Sequence, residues 1–138
     1  MCIRDRIAAI HVGWKGAFKN ILKKCIKFMI KKGSKNQNIS AVIGPSIFRE
    51  NYEVKKEFMK RFLNLNDRNR KFFYFKKTRI FFDLKEFIKS QLRSLKISNI
   101  DIINKDTFKN RTEFFSARRA LKNKEDDYGR NISIIMLK

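Results

Sequence analysis

Between Ile7 and Met29 the apolar residues change their period. Ile7 to Val12 (IAAIHV) is a continuous apolar run of strand length, followed at once by Gly13-Trp14-Lys15-Gly16. Beyond it Phe18, Ile21, Leu22, Cys25, Ile26 and Met29 recur at the spacing of one helix face. Lys19, Lys23, Lys24, Lys27 and Lys31 fill the other face, and Gly33 stands where a C-terminal cap is expected. Strand, tight turn and helix in direct succession predict layered α and β structure and exclude an all-helical or all-β chain.

The rest of the chain repeats the alternation. Ser40 to Ile43 reads as a short strand running into the Gly44-Pro45 turn signal, and a helix carrying Val54, Phe58, Phe62 and Leu65 on one side follows. Lys71 to Lys76 and Thr78 to Phe82 are aromatic and branched enough to form strands that pair with each other. Asp83 is placed to cap a helix whose inner stripe is Leu84, Phe87, Ile88, Gln91, Leu92 and Leu95. Ile100 to Ile103 reads as a further strand and Asn131 to Leu137 as a closing one, with an Arg-rich polar stretch between them from Asp106 to Arg130. The expected class is α+β, with mixed β-sheet layers and packed helices.

Net charge is +21, from 34 basic against 13 acidic side chains. That balance fits either a nucleic-acid-binding module, since Lys and Arg neutralise phosphates, or a solvated surface shaped by an AT-biased codon pool. The lysines are spread over every amphipathic segment, which favours the solvated surface; weak, non-specific binding to polyanions follows either way. Cys2 and Cys25 do not make a disulfide framework, and no apolar run of about 18 residues suggests a membrane span. The expected compartment is the cytoplasm. Met1 to Arg6 carries no cap, pattern or turn chemistry, and is expected to be a non-native leader ahead of one catalytic-domain portion, residues 7–138.

His11 is the only histidine, near the end of an apolar strand and just before two glycines. It reads either as a satisfied structural residue or as a ligand; Gly13, Gly16 and the helix start beside it, with unpaired N–H groups, suit an anion such as phosphate. Trp14 can stack on a planar base or pack under the turn. Adjacent Arg118 and Arg119, after Phe114-Phe115-Ser116, offer planar forks for phosphate oxygens, as does the Lys15 ammonium, and which of the three makes that contact stays open.

Five ordered motifs resemble one family. Ala8-Ala9-Ile10-His11-Val12-Gly13-Trp14-Lys15-Gly16 is similar to the His-Ala-Gly-Trp-Arg/Lys-Gly signature of the polyphenol-oxidase or laccase-domain family, also called peptidoglycan editing factors. Ile43-Gly44-Pro45-Ser46-Ile47 with Asn51-Tyr52-Glu53-Val54, Phe82-Asp83-Leu84, Asp106-Thr107, and Phe114-Phe115-Ser116-Ala117-Arg118-Arg119 with Asp127-Tyr128-Gly129-Arg130 resemble its later motifs. Ala117 departs from the family's usual aromatic.

The resemblance implies the C-terminal portion of a laccase-domain enzyme. Its implied activity is purine nucleoside phosphorolysis (inosine, guanosine, adenosine, methylthioadenosine) with adenosine deamination, at zinc held by two histidines and a cysteine; copper is the alternative metal. Peptidoglycan precursor editing is the family's other implied activity. His11 is by that implication a metal ligand and catalytic residue, with Gly13, Trp14, Lys15, Gly16, Ser116, Arg118 and Arg119 around nucleoside and phosphate, and the remaining ligands upstream. Cys2, about 30 Å from His11 along an extended strand, and Cys25, roughly 13 Å beyond the turn, are both too far to sit about 2.3 Å from a shared zinc.

Overall fold

The computed structural model describes residues 6–137 as two compact units, taken separately below. The first comprises Met1–Ile43, Ile88–Ile102 and Ser133–Lys138; the second comprises Gly44–Phe87 and Ile103–Ile132.

In the first unit, helices α1 (Trp14–Phe18) and α2 (Ile21–Lys31) replace the single helix expected after Gly16. The break is at Asn20, held in the left-handed region (φ 56°) that asparagine tolerates better than most residues. The stripe survives the break: Ala17, Leu22 and Ile26 are buried, and Ile21, Cys25 and Met29 are half-buried. Gly33 ends α2 as expected. At φ 98° its N–H reaches the Ile30 carbonyl (2.8 Å), and the Ser34 N–H reaches that of Met29 (3.0 Å), which is a Schellman closure.

Strand β1 (Ser40–Ile43) pairs in parallel with a strand, Asn99–Ile102, from Ser40 opposite Asn99 to Ile43 opposite Ile102. Ile39, Ile43, Ile88, Leu92 and Ile97 complete this unit's core. Gln91, the one polar member of its stripe, donates from Nε2 to the Ala17 carbonyl at 2.9 Å.

In the second unit, β2 (Glu53–Val54), α3 (Lys56–Leu65), β3 (Phe73–Lys76) and β4 (Arg79–Phe82) follow in order, then the start of α4 (Leu84–Ser94). The Asn99–Ile102 strand of the first unit is β5. The expected pairing of the two aromatic strands is present: β4 lies between β2 and β3, antiparallel to both, with Phe73 opposite Phe82. Their inner faces meet in an aromatic core. Phe62 and Phe82 are fully buried with ring centroids 4.9 Å apart, and Phe87 and Phe73 stand at 5.2 and 5.9 Å from Phe62. Of the stripe expected on α3, Val54 lies ahead of the helix in β2, and Leu65 is at the helix's last position and exposed. Asp83 caps α4, its Oδ1 accepting the Glu86 N–H at 3.0 Å.

Three expectations are corrected. Ile7 to Val12 and Asn131 to Leu137 carry no regular secondary structure and no ladder pairing among the described residues, so neither is a strand. Apolar, branched content makes a segment fit for a sheet, but the hydrogen bonds must come from a neighbour. The polar stretch from Asp106 to Arg130 is not wholly irregular, since it holds helix α5 (Ala117–Asn123). Met1 to Asp5 of the expected leader lie outside the described residues. Among the described residues no helix is long and apolar enough to cross a membrane.

Candidate functional site

His11 is exposed in the segment leading to α1. Gly13 is extended (φ −77°, ψ 174°), a conformation open to any residue, so the sharp turn expected of it is not why glycine stands there. A Cβ on Gly13 would lie 3.4 Å from His11 Nε2, an ordinary van der Waals contact, so space does not demand glycine here either. Gly16, inside α1, would place a Cβ 3.4 Å from Ile21 Cγ2 and 3.8 Å from the His11 carbonyl oxygen.

Trp14 is half-buried and Lys15 exposed, with the Lys15 ammonium 5.7 Å from the indole centroid. The helix start here is modest. α1 has five residues and no side-chain cap, so little macrodipole accumulates at its amino end.

The described residues contain no group of three or more His, Cys, Asp or Glu side chains able to hold a metal ion. Cys25 is half-buried on α2, and burial pushes its thiol above the usual range, the opposite of what a thiolate ligand needs. One exposed imidazole does not fit a zinc centre by itself, because a catalytic zinc takes three protein ligands and one open position.

In the second unit Ser116 is buried and caps α5, its Oγ accepting the Arg119 N–H at 3.4 Å. The two arginines that follow are used differently. Arg119 turns inward and donates to three carbonyls, those of Thr107 (3.0 Å), Phe108 (2.9 Å) and Phe114 (2.6 Å), so its fork is occupied by backbone. Arg118 is exposed, with its guanidinium carbon 5.1 Å from the Tyr52 ring centroid. Tyr52 is buried against Phe82; burial raises its phenol, and the charge and hydrogen bond of Arg118 pull the other way. Of the two candidate arginines, Arg119 is tied up by backbone carbonyls, while Arg118 is exposed and engages only the Tyr52 side chain among the described contacts.

The central organising residue of this unit is one that its sequence context makes easy to pass over. Asp106 is buried, accepts from Phe48 N–H (3.3 Å) and Phe108 N–H (2.9 Å) at Oδ1 and from Asn51 Nδ2 (2.6 Å) at Oδ2, and forms an isolated parallel bridge with Ser46. It joins the Gly-Pro-Ser segment, the Arg49–Asn51 turn and the approach to α5. Between lysines in a polar stretch it reads as a solvated charge, and the only hint is its match to a family motif. Beside it, Lys85 lies 3.8 Å from the Phe48 centroid and donates to Asn104 at 3.2 Å, and burial holds its ammonium below the usual value. Asn131 pairs its side-chain amide with both backbone groups of Phe115, at 2.9 and 2.8 Å. Gly129 faces the Phe115 ring so closely that a Cβ would meet it at 2.6 Å, which gives the Gly-Arg motif a packing reason.

This mixed α and β chain, with its parallel and antiparallel sheets, belongs to the multi-copper polyphenol oxidoreductase laccase family, whose model matches residues 3–138. Particular relatives carry more specific names. A purine nucleoside phosphorylase of Rickettsia conorii is 36% identical over 135 residues, 96% of this chain and 55% of that protein. One from Aquifex aeolicus is 34% identical over 105 residues, 75% of this chain and 46% of its own length. An adenosine deaminase from an unknown prokaryotic organism is 37% identical over 65 residues, 44% of this chain and 25% of that protein. The chain thus spans about half the length of the phosphorylases it matches.

Proposed function

We propose that these residues are the C-terminal part of a cytoplasmic purine nucleoside phosphorylase that also deaminates adenosine. The observation that carries this reading is likeness along 96% of the chain to a protein named a purine nucleoside phosphorylase, with a shorter likeness, over 44% of the chain, to one named an adenosine deaminase. The exposure of His11 supports it. In this reading His11 is one metal ligand of a zinc site whose other histidine and cysteine come from outside residues 1–138. One imidazole is too little to hold the ion by itself.

The roles left to this chain are binding and orientation. Lys15 and Arg118 are the two exposed cations among the candidates, and either suits phosphate oxygens, Arg118 through a planar fork and Lys15 as a point charge. Trp14, half-buried, supplies a flat face for a purine. Ser116 and Arg119 act by holding α5, and thereby Arg118, in place.

The test compares the 138-residue chain with a longer polypeptide that includes the segment preceding it in the same reading frame. The short chain should retain far less than one equivalent of zinc after dialysis and release little hypoxanthine from inosine and phosphate. The longer one should hold one equivalent and turn over, and His11→Ala should abolish both in it. Stoichiometric, tight zinc in the short chain, or an active His11→Ala enzyme, would overturn the ligand assignment.

A further inference from the structure

Charge is not evenly divided along this molecule. From Arg6 to Arg49 the chain carries ten cationic side chains and no acidic one, and the only carboxylate among the described residues of the first unit is Asp101. Lysine is spread along the chain, and it is the carboxylates that are segregated.

The density is highest on α2. Leu22 and Ile26 point into the unit, while Lys23, Lys24, Lys27, Lys31 and the following Lys32 are exposed. Among them stands Phe28, 61% exposed. One helical turn separates Phe28 from Lys24 on one side and from Lys31 and Lys32 on the other, and the Lys32 ammonium lies 5.8 Å from the ring centroid. A flat apolar ring is thus bordered by point charges of one sign.

We infer that the outward face of α2 binds single-stranded nucleic acid, with a base stacked on Phe28 and the backbone phosphates along Lys24, Lys27, Lys31 and Lys32. Each component has a physical counterpart. Lysines neutralise phosphates without reading sequence, and an exposed aromatic ring takes any unpaired base on its π-face, whereas a duplex offers none. An anionic membrane is the weaker match. A helix lying in a bilayer interface buries its apolar face in lipid, and that face of α2, Leu22 and Ile26, is already buried in the protein. This inference does not rest on the phosphorylase reading, and either can fail alone.

The test uses the full chain and a fluorescein-labelled mixed-sequence 20-mer, followed by anisotropy between 50 and 200 mM KCl. Four phosphate contacts predict a log–log salt slope of about −2.8, or about 50-fold weaker binding across that range. Lys24→Gln, Lys27→Gln and Lys31→Gln together should reduce the slope by about 2, whereas Lys60→Gln, Arg68→Gln and Lys76→Gln, on the second unit, should leave it unchanged. Phe28→Ala should leave the slope alone and remove the preference for single over double strands. Unchanged helical circular dichroism verifies that each variant is folded. The inference fails if both charge sets lower the slope equally, if Phe28→Ala leaves the strand preference intact, or if phosphatidylserine vesicles bind through α2 and the oligonucleotide does not.

Discussion

Replacing Asp106 tests whether one buried carboxylate holds the second unit's loops together. Asp106→Ala leaves three donors, Phe48 N–H, Phe108 N–H and Asn51 Nδ2, without their acceptor. A hydrogen bond to a charged group contributes about 1.5 kcal/mol at the low end, so the sum approaches about 4.5 kcal/mol. Phe48, Asn51 and Phe108 are only half-buried, so water can reach some of the freed donors, and the expected loss is about 3 kcal/mol. Asp106→Asn keeps the oxygen that accepts two of the bonds and sets an amide donor against Asn51 Nδ2, for an expected loss of about 1.5 kcal/mol. In urea melts with m of about 2 kcal/mol/M, the midpoints should fall by about 1.5 M and 0.75 M respectively. The double variant with Asn51→Ala should cost less than the sum of the two single changes, since Asn51 and Asp106 share a bond. A loss below about 1 kcal/mol for Asp106→Ala, or equal losses for Asn and Ala, would refute the account.

The paired arginines should separate cleanly. Arg119→Lys, which replaces three donations to carbonyls by a single ammonium, should cost about 2 kcal/mol of stability, whereas Arg118→Ala should cost less than about 1 kcal/mol; equal losses in urea melts would contradict the division of roles drawn from their contacts. Tyr52 predicts an alkaline limit. Because burial raises its folded-state value, the unfolded chain releases the phenolic proton first, so this contribution is complete below pH about 10 and is lost as pH rises through the folded value. The urea midpoint of Tyr52→Phe should therefore fall less steeply than that of the parent above pH about 10, and parallel curves would count against it.

What the sequence alone determined were the features closed within a few residues. The α2 stripe, the Gly33 cap, the Asp83 cap and the hairpin of β3 with β4 each depend on side-chain period or on a partner within about ten positions, and all were readable from the residue order. The family signature was readable for a related reason, since motif strings are local. Tertiary structure decided whatever needs a distant partner. Ile7 to Val12 has the content of a strand but no ladder among the described residues, Asp106 becomes a hub only where Asn51 and Phe48 come to it, and Arg119 differs from Arg118 because backbone carbonyls face one and not the other. Composition states what a side chain is able to bond; the folded chain supplies the atoms it bonds to.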